Sequence, residues 1–263
     1  MPRLDVHEPS SRLEADPSRA DAVMAALDTV MDPELDESVA AMGFIESVGL
    51  AGGDAEIVFR LPTFWCSANF AFLMASDMRC AVEQLPFIRT ARVRLVDHFA
   101  ARKINRGVAE GIGFAEVFSG EAQAGLDEIR RAFRDRAFLG RQEKLLRVLA
   151  PRWGVEAALA ATMADLQTLV HNDDGDLRLA ALRYLALRRH GPAETDAAAP
   201  AFVALNGKPI PPADYSAHLR SIRSVSGAAE ANAEMCRIYL EARVTHPAPD
   251  CEPENRTEDH GDG

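Results

Sequence analysis

The chain has 263 residues and a formal net charge of −11, with hydrophobic residues at 48% and aromatics at only 6%. That length suits one large domain or two of ordinary size. So acidic a chain is ill-suited to a polyanion, which argues against non-specific nucleic-acid binding, and no stretch reaches the roughly 18 charge-free apolar residues of a membrane span.

Residues 1–19 mix Pro, Ser, Arg and Asp and read as a disordered lead-in. No apolar signal segment stands there, so the expected location is the cytoplasm, where Cys66, Cys80, Cys236 and Cys251 stay reduced. Val23, Met24, Leu27 and Val30 recur at helical spacing and predict a helix that stops before Pro33. Asp32-Pro33-Glu34-Leu35 is then a turn. Residues 44–50 and 55–61 read as strands joined by a hairpin turn at Gly52-Gly53, and Pro62 ends the second. The loop Thr63-Phe64-Trp65-Cys66-Ser67 leads into a helix over 69–85, whose Phe70, Leu73, Met74, Met78 and Val82 form an apolar stripe. Residues 91–96 alternate arginine with Val93 and Leu95, the pattern of a half-buried third strand.

The fold class is therefore α+β: a small three-stranded mixed sheet with helices on one face over residues 20–100, followed by a mainly helical region over 101–245. In that region helices are expected over 103–118, 126–149, 155–170, 176–189 and 227–243, with Pro151 breaking the second. Residues 191–200 read as an Ala/Pro-rich linker and 201–210 as a hairpin around Asn206-Gly207. Residues 246–263 read as a disordered acidic tail.

Cys66 is the most informative residue. It follows a strand and precedes a helix, where orphan N–H groups and the helix dipole favour negative charge. A thiolate there is both a soft-metal ligand and a nucleophile; the plainer alternative is a buried thiol that does no chemistry. Thr63 is placed to orient the loop through its hydroxyl. Cys236 and His218 read as a second thiolate–imidazole pair for metal, set against an ordinary core role for a cysteine beside Met235 and Ile238. Cys80 reads as a core residue, Cys251 with His246 and His260 as a weak metal site at most, and nothing in the sequence places His98 near Cys66. The Arg130, Arg131, Arg134 and Arg136 run reads as a solvated helix face. Phosphate-loop, nucleophile-elbow and zinc-helix motifs are all missing, so no autonomous enzyme is expected.

Asp32-Pro33-Glu34-Leu35, then Thr63-x-x-Cys66 at the end of the second strand, then the strand at 91–96, together resemble the iron–sulfur cluster assembly accessory family, which includes the protein D component of bacterial phenylacetate oxidation systems. Where that family places Gly before the cysteine and Pro after it, this chain has Trp65 and Ser67; where the family has Asp-Leu-Gly it has Ala41-Met42-Gly43. The resemblance implies an accessory factor for iron–sulfur or iron-centre assembly in a client metalloprotein, with Cys66 as transient metal or cluster ligand. It also implies Thr63, Asp32 and Glu34 as cluster-binding neighbours, with capping of backbone N–H groups as the simpler role for the two carboxylates. The stretches at 136–142 and 232–236 are similar to the extra region of larger, actinobacterial-type members that accompany diiron monooxygenases. The partners this implies are an iron-containing client such as a diiron monooxygenase component, cluster scaffold proteins and a second copy of the chain, but no nucleic acid or membrane. The alternative is an interaction protein that folds or stabilises an oxygenase subunit without binding metal.

Overall fold

The computed structural model describes residues 17–118 and 126–245. The acidic tail lies outside the described residues, as does most of the lead-in, although the first helix already opens at Pro17.

The first half runs α1 (Pro17–Leu27), β1 (Ile45–Ala51), β2 (Asp54–Arg60), α2 (Ala68–Glu83) and β3 (Thr90–Val96). β1 pairs antiparallel with β2 across a turn in which Gly52 and Gly53 both have positive φ, 58° and 114°. β2 pairs parallel with β3, setting Ile57 opposite Val93 and Phe59 opposite Leu95. A parallel neighbour requires a crossover, and α2 supplies it. Ala55, Ile57, Phe59, Ala91, Val93 and Leu95 are buried on one face, whereas Glu56, Arg92 and Arg94 are exposed on the other. The mixed sheet is thus covered by helices on one side, as its alternation predicts. The backbone of Leu95 on edge strand β3 is not left open. The Asn105 amide accepts from its N–H at 2.8 Å and donates to its carbonyl at 2.9 Å, as another strand would.

The second half contains α3 (Ala101–Glu110), α4 (Phe114–Val117), α5 (Leu126–Trp153), α6 (Val155–Leu159), α7 (Met163–Leu169), α8 (Gly175–Arg188) and α9 (Tyr215–Thr245). Several boundaries depart from the sequence expectations for identifiable reasons. Gly111, at φ 69°, caps α3 in the left-handed conformation and separates it from α4. The expected helix over 155–170 is two helices, because Thr162 and Asp165 form a reciprocal capping box that starts α7 afresh. Pro151 does not break α5; it is the third residue from the end of the helix, so it costs one i→i−4 bond, and the helix stops at Gly154, whose φ is 85°. Asp174 caps α8, accepting from the N–H groups of Asp176 and Leu177.

Residues 191–200 are not a free linker. Arg188, fully buried, donates to the carbonyls of Ala193, Glu194, Pro200 and Ala201 and ties the segment down. The expected hairpin reduces to one bridge, Val203 to Pro209, around Gly207. Gly207 has φ 79°, and a Cβ there would lie 2.7 Å from the Pro192 carbonyl oxygen. Gly207→Ala is accordingly expected to lower unfolding free energy by about 2 kcal/mol, from backbone strain plus overpacking, and a denaturant titration checks this.

α9 differs most from expectation: it is 31 residues long and begins at Tyr215 rather than near 227. Its two ends serve two different cores. Leu219 belongs to the helical core built around Leu145, Leu149, Leu166, Tyr184 and Phe202, whereas Ala233 and Leu240 pack into the core of the sheet. No single apolar stripe marks such a helix.

Candidate functional site at the Thr63–Cys66 loop

β2 ends at Arg60 and α2 begins at Ala68, so the intervening loop delivers Cys66 to the mouth of α2, two residues before its first turn. The Thr63 hydroxyl and the Cys66 thiol are in hydrogen-bond contact at 3.1 Å. Cys66 is half-buried and packs against the sheet core. Its neighbours Phe64 and Trp65 are exposed, Trp65 to 76%, and Phe99 beside them is exposed as well. Trp65 therefore stands out into solvent.

His98 holds the loop from behind. It is buried, and its Nδ1 accepts from the Ala100 N–H at 3.2 Å, which leaves the proton on Nε2 to donate to the Cys66 carbonyl at 2.8 Å. Burial lowers the His98 pKa and the Arg243 guanidinium lowers it further, against the Cys66 carbonyl and the Asp97 carboxylate, which raise it. The sequence put Asp97-His98 at the end of β3 but gave no sign of this contact. Arg243 was equally invisible. It reaches from α9 to the carbonyls of Leu61, at 2.7 Å, and Asp97, at 2.9 Å, and to the Asp97 carboxylate.

The Asp32 turn closes another side. Asp32 is buried and its Oδ1 accepts from the N–H groups of Glu34 and Leu35 at 2.8 and 2.9 Å, the capping role expected of it. Burial raises its pKa to about 6, against the pull of those two N–H groups. Glu34 is exposed. The turn is gripped from the helical half: Arg141 pairs with the Asp36 carboxylate through two bonds, at 2.8 and 2.6 Å, and Arg183 bonds the Asp36 carbonyl and pairs with Glu37.

Cys236 also arrives here, on α9. It is half-buried against the sheet core, and its pKa is raised to about 11, first by burial and then by the negative charges of Asp32, Cys66 and Glu34. The expected Cys236–His218 pair is not formed. The two residues lie 18 positions apart on one continuous helix, which separates them by roughly 27 Å at 1.5 Å per residue. His218 instead meets the Gln142 side-chain oxygen at 2.7 Å inside the helical core. Cys80 is exposed on α2 rather than in the core. Cys251, His246 and His260 lie outside the described residues. Among the described residues no group of three or more His, Cys, Asp or Glu side chains is gathered to hold a metal.

Comparison with known proteins bears on the same segment. The model of a family described as "Iron-sulfur cluster assembly protein" matches residues 20–95. An "Iron-sulfur cluster carrier protein" of Deinococcus radiodurans is 34% identical over 73 residues, which cover 28% of this chain and 20% of that relative. The chain thus spans about one fifth of the length of this curated relative. No solved structure matches the chain. No described helix is long and apolar enough to cross a membrane. The mixed sheet, the Asp32 turn and the Thr63–Cys66 loop lie in or beside the matched segment, and residues 20–95 form a domain of the iron–sulfur cluster assembly protein family.

Proposed function

We propose that this protein is an accessory factor in the assembly of iron–sulfur clusters or iron centres, with Cys66 as the transient ligand of the metal or cluster it passes to a client. The observation that carries this reading is the Cys66 thiol, held by Thr63 at the mouth of α2 within the matched domain. On this reading iron is cargo, and the protein acts by presenting a ligand rather than by catalysis of its own. A half-buried thiol on a loop suits that role because it binds a soft metal while leaving coordination positions for a donor or acceptor protein. The client is a cytoplasmic iron enzyme. The stretches at 136–142 and 232–236 favour a multicomponent diiron monooxygenase, and cluster scaffold proteins act as donors. Anaerobic loading with ferrous iron and sulfide is expected to give a sulfur-ligated chromophore in the wild type. Cys66→Ser is expected to weaken binding by roughly 100-fold, the upper range for loss of a supporting contact at a metal site. Equal loading of the two proteins would sink the reading.

A second reading is favoured by the exposed aromatics Phe64, Trp65 and Phe99 around the loop. These would serve an interaction protein that stabilises an oxygenase subunit without handling metal. Co-expression with the client separates the two. A client left metal-free by Cys66→Ser supports assembly, and a fully metallated client supports stabilisation alone.

A further inference from the structure

Two helices of the second half carry apolar faces that stand open to solvent. On α9, Met235, Ile238, Tyr239 and Ala242 are exposed at helical spacing, on the side opposite Ala233, Cys236 and Leu240, which pack on the sheet core. On α8, Leu179, Leu182 and Ala186 are exposed in the same way, opposite the buried Leu177, Ala181, Tyr184 and Arg188. The five large side chains on these faces are each 45 to 57% exposed, so the apolar surface is contiguous rather than scattered. The two faces differ in charge. Glu234 and Glu241 edge the α9 face. Glu234 meets only Arg237 of its own helix, at 3.4 Å, and Glu241 has no ion pair among the described residues. Arg178 edges the α8 face and donates to a neutral carbonyl, that of Asn172, at 2.9 Å. Arg189 ends that face and has no ion pair among the described residues. Beside α8, a cleft of about 160 Å³ opens between Leu179 and Ala180 on one helix and Arg141 and Lys144 on α5. A space of that order accepts a benzene-sized group.

We propose that the chain pairs with a second copy of itself, α9 of each copy lying antiparallel on α8 of the other, with the Tyr239 ring seated in the cleft between α5 and α8. Charge complementarity selects this occupant. An α9–α9 contact gathers four carboxylates around one seam and leaves Arg178 and Arg189 unmatched, whereas the α8–α9 contact sets acid against base. With the helices antiparallel, Glu241 falls at the Arg178 end of α8 and Glu234 at the Arg189 end. The two carboxylates stand roughly 11 Å apart along their helix and the two arginines roughly 17 Å, a difference that long side chains absorb. The chain's own residues 246–263 are acidic too, but they include no large apolar side chain to cover Leu179 and Leu182. Each copy offers one face of each kind, so the contact is made twice about a two-fold axis and closes. The apolar faces supply the affinity, Tyr239 is its anchor, and the charged edges set register and orientation. This pairing is independent of the metal-handling reading: both faces lie outside the matched segment at 20–95.

The test is sedimentation equilibrium of the full chain across the micromolar range, in reducing buffer. The expected result is a monomer–dimer equilibrium that weakens as salt rises. A monomer throughout overturns the proposal, and so does a mass that keeps growing with concentration, because that contact does not close. Two charge-reversed proteins follow, Glu234→Arg with Glu241→Arg, and Arg178→Glu with Arg189→Glu. Each alone sets like charges against each other and is expected to dimerise at least about tenfold more weakly than wild type. Mixed in equal amounts, they present opposite charges at both contacts and are expected to recover the wild-type dimer. Failure of the mixture to recover, or a dimer indifferent to the α8 reversal, assigns the contact to other surfaces and overturns the pairing. Tyr239→Ala is expected to weaken the dimer by about tenfold as well. Circular dichroism checks that each variant is folded. Should a reversal fail to fold, Tyr239→Ala and Leu182→Ser, both at exposed positions, decide: a dimer unweakened by either overturns the proposal.

Discussion

Arg141→Ala is expected to lower the unfolding free energy by about 3 kcal/mol, the low end for removing one partner of a buried ion pair. Arg141 is almost fully buried, and its guanidinium holds the Asp36 carboxylate through two parallel bonds while donating a third to the Arg183 carbonyl. Asp36 is the residue that bends the turn, at φ 53°, a conformation costly for any residue with a side chain. Without Arg141, the carboxylate keeps only the longer contact to Arg183, at 3.7 Å, and the strained turn loses its main anchor. Asp36 retains one fifth of its side-chain exposure, so rehydration offsets part of the loss and keeps the figure at the low end. The loosening should be local as well as global. Faster hydrogen exchange is expected at the N–H groups of Leu35 and Asp36, which are bonded to Asp32 within the turn. A change under 1 kcal/mol with unaltered exchange would show that the two halves are held together elsewhere.

Asp32→Asn should act in the opposite direction at neutral pH. Burial raises the Asp32 pKa to about 6, against about 3.9 in an unfolded chain. The native state therefore binds a proton that the unfolded state has already released. The sign follows: below about pH 4 the group is protonated in both states, and stability falls as pH rises through the window up to about 6. Over roughly two pKa units that loss is about 3 kcal/mol, and it persists at all higher pH. Asparagine keeps an oxygen to accept from the Glu34 and Leu35 N–H groups but carries no charge. Asp32→Asn is thus expected to flatten the pH 4–6 slope and to raise stability at pH 7.5 by up to about 3 kcal/mol. Urea midpoints at pH 4, 6 and 7.5 for both proteins check this, and a variant less stable than wild type at pH 7.5 contradicts it.

Local chemistry made the sheet domain legible. Period-two alternation in β2 and β3, the glycine pair between β1 and β2, and Pro62 after β2 each act within a few residues, so the mixed sheet and the placement of Cys66 before α2 can be read directly. Asp32 and the Thr63–Cys66 contact were legible for the same reason, being contacts two or three residues long. The helical half was less so. Its breaks at Gly111 and Thr162 depend on cap geometry, and the continuity of α5 through Pro151 depends on how near the proline lies to the helix end.

What only the tertiary structure decided is which distant residues pack around the Cys66 loop and the sheet core beside it. His98, Arg243 and Cys236 lie 32, 177 and 170 positions beyond Cys66 in the sequence, and no periodicity or motif relates them to it. They come together because α9 spans two cores, and because Arg243 finds free carbonyls at the ends of β2 and β3. The same long helix carries His218 off to Gln142 and so dissolves the pairing that residue types alone suggested. The sequence by itself determined the domain, the loop and the first thiol, because those are set by neighbours along the chain. The histidine behind the loop and the seating of Cys236 on the sheet core were set by packing between distant parts of the chain, which sequence separation does not encode.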